Sequence, residues 1–334
     1  MTNKRALPYV YKLIAGIVFL AGMFVISIML GAADISLQDV WAAITFSSVN
    51  KDILIIQEIR LPREIGAALV GAAFGVSGAV MQGVTRNPLA DPGLLGLTSG
   101  ATAALAITLA FAPNLSYMGI TIACFIGSAV GAILVIILSS AGRRKMSPFR
   151  IVLAGAAIST FLIAVSEGIG LYFKISKFVS MWTAGGLIGT TWAQITLIAP
   201  IVIIGIIISI IFSKQLTILS LNEEVAIGLG QSLTRVRVIL FIIVILLTGA
   251  SVALVGNLAF IGLMIPHIVR SFTGTDYRYI VPMSAVLGAA FMLIADTMGR
   301  LINVPYETPV VAVVSMLGLP FFLFVVHKGG KSLS

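Results

Sequence analysis

The sequence predicts an all-α, polytopic membrane protein, and three observations lead there. Of 334 residues, 59% are hydrophobic and only 10% are charged, whereas a soluble domain averages about 25% charged. Uncharged runs long enough to cross a bilayer recur along the whole chain. The basic residues stand in short clusters between those runs, as the flanks of spanning helices do. The net charge of +9 is therefore read as membrane topology, and it gives no indication of nucleic-acid binding.

A spanning helix needs about 20 mostly apolar residues. Leu13–Ala33 is the first such run, and at 21 uncharged residues it is too long for the core of a cleavable signal peptide. After an outer segment of about 34–63 comes Ile65–Thr85. Pro92–Gly142 holds two spans divided by the turn signal "APN" at Ala112–Asn114. Ile151–Phe173 is broken only by Glu167. Phe178–Ser213 opens with the glycine-rich "MWTAGGLIGTTW", an outer loop or half-helix ahead of one span. Val238–Val269 divides at "VGN" (Val255–Asn257) into a full span and a shorter one. Tyr279–Gly299, broken only by Asp296, and Thr308–His327 bring the expectation to about ten spans in a single domain, residues 1–334.

An even number of spans puts both termini on one side. With the N-terminus cytoplasmic, 15 of the 21 basic residues fall in cytoplasmic segments and 6 in outer ones, a bias that sets the orientation. Arg60 and Arg63, in "RLPR", belong to the outer minority. Pro62 is a good helix-start residue, which would place both arginines near the positive end of the second span. Either acids from outside the chain or snorkelling toward lipid phosphates would answer that mismatch.

No catalytic constellation is present. The single cysteine, Cys124, excludes an internal disulfide. His267 and His327 are too few and too far apart for zinc, which needs three or four clustered ligands. "GGKS" (Gly329–Ser332) lacks the first glycine of a phosphate loop. Gly71 and Gly75, like Gly127 and Gly131, are four apart and suit close helix packing within one subunit. Glu167 and Asp296 are the acids inside spans, where burial is costly and function is the default expectation. Asp296 and Arg300 share a helix face and are expected to pair. Glu167 either lines a wet pathway or caps a local polar contact.

Two polar breaks complete the pattern. In Val84–Ala101, Pro88, Pro92 and Gly93 interrupt the helix, and Asp91 is placed as an N-cap. The largest break is Ser213–Arg237, cytoplasmic by topology. There Asn222 is placed to cap a short helix carrying Glu223 and Glu224, with Gly228 and Gly230 at its end. Such a hairpin would serve as an interfacial helix or as a platform for a soluble partner.

The stretches "RLPR", "SGAVMQGVTRNPLADPGLLGLTSGA" (Ser77–Ala101), "LAG" (Leu153–Gly155), "FIGLMIPHIVR" (Phe260–Arg270) and "LGLPFFLFVV" (Leu317–Val326) resemble FecCD-type permeases. These are membrane subunits of type II ATP-binding-cassette (ABC) importers for iron(III)-siderophores, haem and cobalamin. The resemblance implies a permease of the bacterial cell membrane without an ATPase site or cofactor of its own, ATP and Mg residing on partners. Those partners would be a second permease subunit (the same chain or a paralogue), two cytoplasmic ABC ATPases, and an extracellular lipoprotein or periplasmic substrate-binding protein. By motif it implies binding-protein docking at Arg60, Arg63 and Arg300, and ATPase coupling at Glu223, Glu224, Gly228, Leu229 and Gly230. It also implies a cytoplasmic gate near Asn87, Leu89 and Ser147, with Glu167 as the pathway candidate. An iron(III)-siderophore is the expected substrate; haem or cobalamin is the alternative. A proton-coupled secondary transporter is the rival from another class.

Overall fold

The computed structural model describes residues 8–31, 35–45, 50–140, 148–221, 223–228, 231–304 and 306–330. Among the described residues, every regular element is helical. The first span is α1 (Tyr9–Met29). Two short helices, α2 (Leu37–Thr45) and α3 (Lys51–Ile55), lead through a π-helical turn at Ile56–Arg60 into α4 (Leu61–Thr85). A 3₁₀ turn at Pro92–Leu95 precedes α5 (Leu97–Phe111), followed by α6 (Tyr117–Ser140), α7 (Pro148–Tyr172), α8 (Ser176–Gly185) and α9 (Trp192–Ile211). The polar break holds α10 (Ser213–Leu219) and α11 (Glu223–Gly228). The chain then runs through α12 (Leu233–Val255), α13 (Ile261–Thr273), α14 (Tyr277–Leu301) and α15 (Val310–Gly330).

Seven of the described helices are long and apolar enough to cross a membrane, against an expectation of about ten. Two of the expected spans, α5 and α13, are shorter for local reasons. The Asp91–Pro92–Gly93 corner spends residues on a 3₁₀ turn, with the Asp91 carboxylate capping it through Gly93 N at 2.7 Å, and α5 keeps only 15 residues. Ahead of α13, Gly256 and Phe260 take positive φ of 79° and 69°, which unwinds "GNLAF" and leaves α13 with 13 residues. The expected half-helix is α8, which Gly186 ends at φ 63°.

The second span differs from expectation in one respect. Helix continues without a break from Lys51 to Thr85, 35 residues in all, and its N-cap is Asn50, which accepts from Ile53 N at 2.9 Å. Pro62 therefore lies inside a helix, and the positive end of the dipole is far from Arg60 and Arg63. The π turn just before Pro62 explains how it is tolerated. Proline lacks an N–H and crowds the carbonyl four residues back, and a π turn loosens the ladder at that point.

α4, α12 and α14 form the centre, with 83%, 72% and 67% of their apolar stretches buried. α4 and α14 pack along most of their length because glycines let their backbones meet. A methyl group on Gly71 would overlap the Gly288 carbonyl, and one on Gly288 would overlap Gly71. The expected small-residue faces thus pack within the chain, as Gly127 and Gly131 do against Gly100 and Gly96 of the α5 region. α7 is different, with only 22% of its apolar stretch buried.

Candidate functional site

Three features stand out, at different levels of the bundle. At the end where α1 and α14 finish, the three arginines singled out by motif come together with three acids. Arg300 Nη2 donates to Glu64 Oε1 at 2.5 Å, and Arg300 Nε lies 3.2 Å from Asp296 Oδ2. Arg63 Nε pairs with Asp296 Oδ2 at 2.9 Å, while its Nη1 reaches Glu307 at 2.9 Å. Arg60 donates through Nη1 to the carbonyls of Ile28 and Met29. Ser27 Oγ donates to Glu64 Oε2 and lies 2.8 Å from Thr297 Oγ1.

Glu64 and Asp296 are 0% and 1% exposed, and Arg60 and Arg300 7% and 8%. Charges taken out of water need both pairing and hydrogen bonds, and this cluster supplies both. It ties the C-terminal end of α1 to α4 and α14. The expected Asp296–Arg300 pair is present, but it is one edge of a larger network. In this chain Arg63 and Arg300 are turned onto its own acids, and Arg60 onto the carbonyls that end α1. The rim is Arg63 with Glu307, whose side chain is 36% exposed. Nothing in the sequence marks Glu307, because it lies 244 positions from Arg63.

The second feature is a pair of adjoining cavities on the outside of the bundle, mostly apolar in lining but dotted with hydroxyls and one exposed carboxylate. An open-sided cavity of about 480 Å³ lies between α7, α8 and α5, with Glu167, Ser166, Ser176 and Ser180 in its lining. A second, of about 620 Å³, is lined by Leu89, Asp91, Ser99, Ser159, Asn257 and Phe322 among others. Both share Thr102, Ile163 and Thr183, so they adjoin, and together they are called the lane below. Ser99 Oγ donates to Ser159 Oγ at 3.3 Å and Ser166 Oγ to the Thr102 carbonyl at 3.3 Å, joining α5 to α7 along it.

Glu167 is exposed on this face, within an apolar helix. A carboxylate in a lipid-facing apolar helix is costly, and Glu167 stands five residues before the C-terminal end of α7. Of the gate candidates, Leu89 lines the lane. Asn87 holds the corner, its Oδ1 accepting from Leu89 N at 3.0 Å. Ser147 lies outside the described residues. His267 packs edge-on against Phe321 at 5.7 Å, and among the described residues no group of His, Cys, Asp and Glu is arranged to hold a metal ion.

The third feature is the α10–α11 segment at the opposite end. Glu223, Glu224 and Gly228 lie in α11 as expected, while Asn222, Leu229 and Gly230 lie outside the described residues. α10 is fastened to the ends of α4 and α14. Arg86 Nε donates to the Leu219 carbonyl at 3.0 Å. Thr217 Oγ1 donates to Asp276 Oδ1 at 3.0 Å and accepts from Tyr277 N at 3.0 Å. Asp276 also caps α14 through Arg278 N at 2.9 Å, and its hydrogen bonds from Arg278 hold its carboxyl below the ordinary aspartate value. The α4–α14 pair thus carries the arginine network at one end and the α10 anchor at the other.

The described residues form a helical bundle in which seven helices are long and apolar enough to cross a membrane. Residues 18–328 match the model of the FecCD transport family, and the chain belongs to that family. It is 43% identical over 332 residues to an iron(3+)-hydroxamate import system permease protein of Bacillus subtilis, covering 99% of this chain and 86% of that one. It is 34% identical over 278 residues to an Fe(3+) dicitrate transport system permease protein of Escherichia coli, covering 83% and 84%. Among solved structures, an inward-facing conformation of a metal-chelate type ABC transporter superposes with a TM-score of 0.83 at 25% identity, covering 95% of this chain and 99% of that one.

Proposed function

We propose that this chain is a permease subunit of an ABC importer that carries an iron(III)-siderophore across the bacterial cell membrane. The observation that carries the reading is the open-sided lane on α7, where Glu167 and a row of hydroxyls interrupt an otherwise apolar face, and which a second permease subunit would close into a pathway. The names of the relatives support iron(III) chelates over haem or cobalamin. The count of ten spans with both termini cytoplasmic is part of the proposal: the seven long helices plus α5, α13 and α15 make ten.

Two cytoplasmic ATPases would dock on α10–α11, with Glu223, Glu224, Gly228, Leu229 and Gly230 at the contact. Because Arg86 and Asp276 fasten α10 to α4 and α14, a displacement of α10 moves the central pair as one body. Its effect at the far end falls on Arg63, Asp296, Arg300 and Glu64. An acidic surface of the binding protein would dock there. Arg63 is the point of entry, because its guanidinium shares a hydrogen bond with half-exposed Glu307 that an incoming carboxylate can replace. ATP binding and hydrolysis would then shift the population of inward-open and outward-open states, with Leu89 and Asn87 at the closing corner and Ser147 near it.

The proton-coupled alternative rests on Glu167 and Asp296. Asp296 is committed to Arg63 and Arg300, which leaves Glu167 without a relay partner from that pair. Copurification tests the proposal. Tagged chain should retain two ATPase copies per two permease subunits, and reversing Glu223 and Glu224 to arginine should release them. Retention of ATPase by the doubly reversed variant would contradict the assignment of α11.

A further inference from the structure

We infer that Gln82 is a positioning residue for transport: it grips the carbonyls that Pro266 leaves free, so that α13 and the lane wall travel with α4 when α10 moves. The inference rests on the importer reading above and assigns a role to Phe260–Arg270, which that reading leaves without one. Pro266 lies inside α13. A proline has no N–H and crowds the carbonyl four residues back, here that of Gly262. Within a membrane bundle such a freed carbonyl is tolerated where a neighbouring helix supplies a donor. Gln82 of α4 supplies it, its Nε2 donating to the carbonyls of Gly262 and Leu263, each at 3.2 Å. Only the NH2 of an amide can serve two carbonyl acceptors, which fixes the orientation of the side chain. Gln82 is 2% exposed, and its Oε1 has no hydrogen-bond partner among the described residues. Burying a half-satisfied amide is costly, and the two bonds to α13 are what the structure obtains from it.

The grip lies where the α10 anchor, the Asn87–Leu89 corner and the lane meet. Gly78 lets the backbones of α4 and α13 touch, since a methyl group there would overlap the Gly262 carbonyl. A methyl group on Gly262 would in turn meet the ring of Pro92, on the far side of that corner. One residue after Gln82, Gly83 seats Leu216 of α10 and Tyr277 of α14. The Tyr277 hydroxyl accepts from Arg270 Nη2 at 2.7 Å, which ties the last turn of α13 to the same anchor. At the other end, the Phe260 ring lies 6.4 Å from that of Phe322 in α15. Asn257, Phe260, Leu263 and Phe322 all line the lane. A proline inside a helix is a bending point. Without the Gln82 bonds, the last turn of α13 would follow α10 while its lane end lagged behind.

The test uses the complete complex in liposomes, with ATPases and ATP inside and binding protein loaded with an iron(III) trihydroxamate outside. Labelled iron uptake and phosphate release are measured in the same vesicles. Gln82→Met keeps the length of the side chain and removes the donor. It should raise the ATP hydrolysed per iron carried at least about fivefold, with hydrolysis itself within about twofold of wild type. Pro266→Ala returns an N–H to the Gly262 carbonyl. Added to Gln82→Met, it should bring the ratio back to within about twofold of wild type, a rescue that a role in packing alone would not give. Thermal unfolding of the same complex in detergent reads the grip separately: Gln82→Met should lower the midpoint and Pro266→Ala should restore it.

An unchanged ratio in Gln82→Met overturns the inference. So does a parallel fall of uptake and hydrolysis, or a ratio that Pro266→Ala leaves raised. If Gln82→Met does not assemble, Gln82→Asn, whose amide is one methylene short of α13, takes its place and must show the same rise and rescue. If wild type shows no ATP-dependent uptake, the importer reading falls and the transport role falls with it. The grip is then judged by unfolding alone, where a midpoint that Pro266→Ala leaves lowered overturns it.

Discussion

Replacing Arg300 by methionine removes the cation that compensates two fully buried acids. Glu64, 0% exposed, loses its partner at 2.5 Å, and Asp296 keeps only Arg63. With charge centres roughly 4 Å apart and an effective dielectric near 20, the lost attraction is about 4 kcal/mol. Breaking a buried pair from one side typically costs about 3–5 kcal/mol, because the remaining charge stays buried. Glu64→Gln alone leaves Arg300 with Asp296 and the carbonyls of Ser27 and Leu30, so it should cost less. The double variant removes the uncompensated charge and should recover at least about 2 kcal/mol of the Arg300→Met loss, a coupling large enough for a double-mutant cycle to resolve. Unfolding titrations of the purified protein in mixed micelles would measure the four corners. Additive losses, with coupling below about 0.5 kcal/mol, would show that Arg300 and Glu64 do not act as a pair.

Further predictions concern the other contacts. Glu307→Gln removes the internal competitor for Arg63 and should tighten binding-protein affinity by up to about fivefold, consistent with an exposed pair worth about 0–1 kcal/mol; weaker binding in surface plasmon resonance would contradict that role. Gly71→Leu forces a side chain into the Gly288 backbone and should cost at least about 1–3 kcal/mol, read as a lost monodisperse peak on size-exclusion chromatography. Asp276→Ala removes the α14 cap and the Thr217 contact, at a cost of about 1 kcal/mol. Because the folded Asp276 carboxyl titrates below its ordinary value of 3.8, its contribution is present above that value and fades as pH falls below it. The difference from wild type should therefore narrow in acid, and a gap that widens there would refute the assignment.

Much of this architecture was legible from local pattern. The interruptions at "APN" and "VGN" fall where α5 gives way to α6 and α12 to α13, because proline, asparagine and glycine act on the backbone within a residue or two. The Asp91 cap and the Asp296–Arg300 pair were readable for the same reason: each partner lies within four residues of the other. Other features depend on distant neighbours. Pro62 reads as a helix start, and only a π turn, which no residue type announces, carries the helix through it. Arg63 was visible as an unusual outer cation, yet its partners Asp296 and Glu307 lie 233 and 244 positions away. The lane was foreshadowed by Glu167 alone. Its hydroxyl lining is spread over the α5, α7 and α8 segments, and serines and threonines in apolar helices usually bond their own backbone. Several of these do so, as Thr102 does to Thr98.

The central claim is that ATP on partner subunits drives an iron(III) chelate through this permease. Liposomes holding the permease pair and ATPases, with the loaded binding protein outside, would be assayed for iron uptake with ATP or a non-hydrolysable analogue inside. A protonophore would be added in parallel. Uptake that requires hydrolysable ATP and persists with the proton gradient collapsed is the predicted result. Uptake that continues without ATP hydrolysis and stops with the protonophore would contradict it.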